Sequence, residues 1–125
     1  MPTFFAFRFP FAAMGSRCEV RLYAPDEASA ATGAQRAIAD VRRLDAKYSD
    51  YRDDSLAAQI DRVAAAGGTI EVDPETATLL DYAATCFEQS EGLFDITCGA
   101  LRQAWNLDRA TLPDPEALRA RLKRV

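Results

Sequence analysis

Phe5-Ala6-Phe7-Arg8-Phe9-Pro10-Phe11 and Arg17-Cys18-Glu19-Val20-Arg21-Leu22 are the stretches that decide the fold class. From Thr3 to Phe11, Phe5, Phe7, Phe9 and Phe11 share one parity, while Ala6, Arg8 and Pro10 take the other. A period of two with aromatic residues describes a half-buried strand. Pro10 cannot donate to a ladder, so the strand is expected to lie at an edge or to end there. Ala12-Ala13-Met14-Gly15-Ser16 breaks the alternation. It resumes with Cys18, Val20 and Leu22 on one side and Arg17, Glu19 and Arg21 on the other. The two runs predict an antiparallel hairpin.

Helical spacing follows. Ala34, Ala37, Ile38, Val41, Leu44 and Tyr48 predict a helix over 26–48, capped by Asp26. Leu56, Ile60 and Val63 mark a short helix stopped by Gly67-Gly68. Thr69-Ile70-Glu71-Val72 is predicted as a third strand. Asp73-Pro74 opens a helix through Glu91 whose apolar face is Leu79, Leu80, Ala83, Cys86 and Phe87, with Gly92 as its stop. Cys98 to Trp105 is predicted helical, and a last helix starts at Asp114-Pro115-Glu116. Three strands are few for the helices they must cover. The expected fold class is therefore α+β: an antiparallel or mixed sheet flanked by helices, the incomplete front part of a larger single-domain fold. Residues 1–125 are read as the N-terminal portion of one domain.

Composition excludes several kinds of chemistry. With 125 residues, 15 Lys plus Arg and 19 Asp plus Glu, the chain has a formal charge of −4. Nucleic acid is not an expected partner for so acidic a chain. The absence of histidine removes Ser-His and Cys-His nucleophile pairs and the common zinc sites. Cys18, Cys86 and Cys98 form an odd set without paired spacing, and are expected as free, mostly buried thiols. No apolar run reaches the roughly 18 residues of a membrane span. The N-terminus lacks a basic stretch followed by an apolar one, so the expected compartment is the cytoplasm. Removal of a leader would move that expectation to the periplasm or a membrane anchor.

Two loops stand out. In Tyr48-Ser49-Asp50-Tyr51-Arg52-Asp53-Asp54-Ser55, Asp54 or Ser55 caps the next helix while Tyr48 packs inward. The loop lacks the glycine and distal glutamate of a calcium-binding EF-hand. In Gly92-Leu93-Phe94-Asp95-Ile96-Thr97-Cys98-Gly99-Ala100-Leu101, Asp95 or Thr97 caps the following turn. The alternative is that backbone N–H groups there, with Phe94 alongside, cradle an anionic or aromatic ligand. Gly67-Gly68 is not a phosphate loop, since no strand precedes it and no Lys-Ser/Thr follows. Trp105 reads as core or interface.

In order, these pieces resemble the front half of the ApbE family of FAD:protein FMN transferases. The pieces are Met14-Gly15-Ser16, Leu44 to Ser55, Gly67 to Glu75, and Gly92 to Leu101 with Trp105 downstream. The last is similar to the family's G-x-F/M-D-x-T-x-G-x-L…W signature. The resemblance implies a magnesium-dependent transferase that splits FAD and attaches FMN to a Thr or Ser hydroxyl of an acceptor protein. Some members only hydrolyse FAD to FMN and AMP. By motif, Met14 and Tyr51 would contact the flavin, and Leu93, Phe94 and Asp95 would line the FAD site. No catalytic residue and no metal ligand is expected in these residues, because the family's metal ligands lie in later motifs. Residues 1–125 alone are accordingly expected to be inactive. Two rivals stay open: a non-catalytic flavin-binding or trafficking module, and a remnant acting through protein contact along its open strand edge. Self-association or pairing with a missing C-terminal half is the partner expectation of those readings.

Overall fold

The computed structural model describes residues 1–101, 104–105 and 111–123. It resolves into two compact units, Met1–Ile70 and Glu71–Val125.

The first unit begins with two antiparallel strands, β1 (Phe5–Ala13) and β2 (Ser16–Ala24). Their register pairs Phe7 with Leu22, Phe9 with Val20, Phe11 with Cys18 and Ala13 with Ser16. The break in the pattern is thus only two residues long. Met14 (φ 52) and Gly15 (φ 65) are both left-handed, the signature of a type I′ turn whose twist matches the strands it joins. Ala12 and Ala13 belong to the strand.

Pro10 does not end β1, contrary to that branch of the expectation. Counting back from the closing Ala13–Ser16 pair, hydrogen-bonded pairs alternate with non-bonded ones. Pro10 faces Glu19 at a non-bonded position, so its missing N–H would have pointed to the free edge. The same residue leaves that edge one donor short, which disfavours edge-to-edge pairing through β1. On the outer face Arg8 and Arg21 stand opposite one another. Glu19 lies between them, bonded to Arg21 and accepting from Arg8 Nε at 3.1 Å. Those two guanidiniums, Arg21 first, hold the Glu19 carboxyl below its ordinary range.

The other face, carrying Phe7, Phe9, Phe11, Cys18, Val20 and Leu22, is half-buried, and α1 (Glu27–Tyr48) packs on both strands. Asp26 caps α1, accepting from the Ser29 N–H at 2.8 Å. The stripe of α1 that is turned inward starts with Ala30 and Ala34, both fully buried, and continues through the half-buried Ile38, Val41, Asp45 and Tyr48. α2 (Leu56–Ala66) follows, capped by Ser55 and closed by Gly67 in the left-handed conformation.

The Thr69–Val72 segment predicted as a strand joins no ladder: the sheet among the described residues is two-stranded. An extended segment becomes a strand only with a neighbour to bond.

In the second unit, α3 (Pro74–Gln89) buries Thr76 and Ala83. Leu79, Leu80 and Phe87 of its predicted apolar face remain 46%, 39% and 45% exposed, because the other elements of this unit, a 3₁₀ turn (Ile96–Leu101) and α4 (Pro115–Leu122), pack on each other. Asp73 takes the Thr76 hydroxyl rather than capping a backbone N–H. α3 ends two residues before Glu91, and Glu91 (φ 53) and Gly92 (φ 82) together make the reversal. Where a helix was predicted from Cys98 to Trp105, the described residues give a 3₁₀ turn over Ile96–Leu101, with Trp105 outside it; residues 102–103 of that prediction lie outside the described residues. α4 starts at Asp114-Pro115 as expected, with Asp114 as its cap. The three cysteines are free, but Cys98 is exposed rather than buried. Among the described residues no helix is long and apolar enough to cross a membrane.

Candidate functional site

Met14 sits at the tip of the hairpin with 62% of its surface exposed. A two-residue type I′ turn favours Asn or Gly in this position, because an ordinary side chain is strained at positive φ. The Met14 N–H has no partner in the ladder, being in the turn. It donates instead to Asp45 Oδ2 of α1 at 3.0 Å.

Tyr51 is 87% exposed in the loop between α1 and α2. The loop is closed by Ser55, whose hydroxyl donates to the Ser49 carbonyl at 2.7 Å and accepts from the Ala58 N–H at 3.0 Å. Of the two predicted caps, Ser55 is therefore the one used. Asp54 instead accepts two bonds from the Arg52 guanidinium, at 3.0 and 2.9 Å, and that contact draws its carboxyl below the ordinary range. Arg62 adds a bond to the Asp53 carbonyl at 2.9 Å. The backbone on both sides of Tyr51 is thus held while its ring faces out.

In the second unit the left-handed pair Glu91-Gly92 turns the chain out of α3. Ser90 Oγ then receives the Phe94 N–H at 2.8 Å. Leu93 and Phe94 are 93% and 49% exposed. Asp95 is half-buried. Its Oδ1 accepts both the Thr97 hydroxyl at 2.6 Å and the Thr97 N–H at 2.8 Å. These bonds, the hydroxyl first, hold the Asp95 carboxyl below its ordinary value of 3.8. Asp95 is consequently the capping residue and Thr97 the residue it caps. The Thr97 N–H that was a candidate for cradling an anion is already taken.

Met14 and Tyr51 lie in the first unit and Leu93, Phe94 and Asp95 in the second. Sequence reasoning missed Asp45. The available signal was an acid at a position of α1 that helical spacing turns inward, between Val41 and Tyr48. No group of three or more His, Cys, Asp or Glu residues among those described is placed to hold a metal ion.

The described residues therefore form an α+β protein in which α1 covers one face of a two-stranded hairpin and large apolar side chains stand exposed on the loops. Comparison with known proteins gives the class its family. The ApbE family profile matches residues 14–125. An FAD:protein FMN transferase of Treponema pallidum (strain Nichols) is 32% identical over 114 residues, 89% of this chain and 31% of that protein. The crystal structure of an ApbE protein from Thermotoga maritima aligns with a TM-score of 0.77 and 27% identity, over 94% of this chain and 38% of that one. The chain belongs to the ApbE family. It spans about a third of the length of the curated relative it matches.

Proposed function

We propose that residues 1–125 are the N-terminal portion of a flavin transferase domain and carry part of its FAD site. Met14 and Tyr51 contact the isoalloxazine ring, and Leu93, Phe94 and Asp95 line the remainder of the FAD surface. The observation that carries this reading is Met14 itself. A 62% exposed methionine is held at a left-handed turn position where hairpin stability alone favours Asn or Gly. A polarizable thioether and a phenol ring are suited to a flat, electron-poor ring face, so the exposed groups fit a flavin.

In the reaction we assign to the complete enzyme, an acceptor Thr or Ser hydroxyl oxygen attacks the FMN-side phosphorus of FAD. The pyrophosphate P–O bond breaks, AMP leaves with the electron pair, and the hydroxyl proton passes to solvent or a base. Water in place of the acceptor would give free FMN and AMP. Magnesium dependence is part of this proposal, with its ligands placed by the family resemblance in later motifs, and the part assigned to these residues is to hold and orient FAD. Phosphoryl transfer relies on positioning and charge neutralisation together, and a chain supplying only the first should not turn over.

Titrating FAD into residues 1–125, with flavin fluorescence as the readout, tests the reading. Saturable binding is expected with and without magnesium, weakened about tenfold by Met14→Ala or Tyr51→Ala, the scale of one lost ring contact. No AMP should appear on prolonged incubation with magnesium. Absence of binding at high micromolar FAD would remove the flavin assignment from this segment. AMP release after metal-free purification would remove the claim that it only binds.

A further inference from the structure

We propose that Asp45 is a positioning residue for Met14: its carboxylate holds the hairpin tip in the left-handed conformation and thereby sets flavin affinity. The second half of this statement rests on the flavin reading above; the first does not.

The geometry begins with lengths. β2 is a nine-residue strand, about 30 Å long at roughly 3.3 Å per residue. The chain turns at Pro25-Asp26 and α1 runs back over the sheet. Asp45 lies 18 residues beyond Glu27 along α1, which at about 1.5 Å per residue is roughly 27 Å. The helix therefore brings Asp45 level with the far end of the hairpin, and the 3.0 Å bond from the Met14 N–H to Asp45 Oδ2 completes the contact.

Three features make this more than a surface hydrogen bond. The donor is a backbone N–H of the turn tip that sheet pairing leaves over. The residue it belongs to sits at φ 52, a conformation that an unbranched side chain does not choose unaided. Asp45 is also half-buried in the inward-turned stripe of α1, so its carboxylate approaches the turn from a rigid element rather than from a loop.

The test uses residues 1–125 and two readouts. In amide hydrogen exchange, Met14 should be protected in the native chain, although it lies in a turn. Asp45→Ala should accelerate its exchange by about tenfold or more, whereas Asp45→Asn, which keeps an acceptor oxygen, should restore part of the protection. The Cys18 and Val20 amides, bonded across the ladder, should stay protected in both variants and report that the hairpin is intact. In FAD titration, Asp45→Ala should weaken binding about tenfold in the native background and by less than about twofold in a Met14→Ala background, the non-additivity expected when one residue acts through another.

A Met14 amide that is unprotected, or indifferent to Asp45→Ala, overturns the proposal whatever the flavin does. Equal loss of FAD affinity in both backgrounds overturns the link through Met14. If the native chain binds no FAD, the flavin reading and the affinity half of this proposal fall together, and the exchange measurement still decides whether Asp45 holds the turn.

Discussion

Ala34→Leu is expected to lower the unfolding free energy by about 2–3 kcal/mol, as overpacking of a closed site does. Ala34 is 1% exposed and Ala30, one turn earlier, 0%. Both lie where α1 leaves the sheet edge and starts back over it, and Ala24 at the end of β2 is buried as well. Small side chains on both surfaces allow the helix to sit close to the strands at this end. A leucine there must tilt the helix or displace half-buried residues such as Leu22 and Phe7. Tilting the helix would also move Asp45, about 16 Å further along α1, away from the hairpin tip. Denaturant unfolding should show a lower midpoint with an unchanged slope. Ala39→Leu, on the exposed side of the same helix, should stay within about 0.5 kcal/mol of the native chain. Equal effects at 34 and 39 would show that the helix is not closely seated on the sheet.

The features legible in the sequence were those whose cause lies within about four residues. Alternation gave the two strands, helical spacing and Asp26 gave α1, and Gly67 closed α2. What escaped depended on distant partners. Thr69–Val72 has the composition of a strand but no neighbour to bond among the described residues. Leu79, Leu80 and Phe87 have the spacing of a buried face, yet spacing cannot say whether anything covers it. Trp105 was drawn into a helix because nothing in its local pattern marks the shorter 3₁₀ turn, which Asp95 starts through its bonds to Thr97.

The candidate site divides the same way. The two loops were visible as breaks between elements, but the sequence left Asp54 and Ser55 both open as the cap of α2, and the structure selects Ser55. The assignment of Met14, Tyr51, Leu93, Phe94 and Asp95 to a flavin came from family resemblance. Spacing could not supply it, because an exposed aromatic in a loop has the same sequence signature whatever it binds. Asp45 escaped because its partner is 31 residues away. Finding it requires matching the rise of a helix to that of a strand, a calculation open only once the hairpin turn is known to be two residues long.

Ser55→Ala is expected to cost about 2 kcal/mol of stability, combining a lost helix cap with a carbonyl left without its donor. Ser55 is 2% exposed, so water cannot readily replace either bond. Its single hydroxyl proton is committed to the Ser49 carbonyl, and its lone pair takes the Ala58 N–H. Ser55→Asp separates the two roles. An ionised aspartate caps the helix but has no proton for Ser49, and it sets a negative charge against that carbonyl. If the cap were the whole contribution, Ser55→Asp would be close to native in thermal or denaturant unfolding, and the loop-closing role would be wrong. If both bonds matter, Ser55→Asp should recover little of what Ser55→Ala loses. The two variants should also reach the ligand, because the Ser49–Ser55 bond closes the loop that carries Tyr51, and the Tyr51 N–H itself leans on Ser49 Oγ at 3.3 Å. At temperatures where both variants remain folded, FAD affinity should therefore fall in each, while Arg62→Ala, which removes one outer brace at the Asp53 carbonyl, should lower it less. The order follows from position: the Ser49–Ser55 bond spans Tyr51, and the Arg62 bond lies to one side of it.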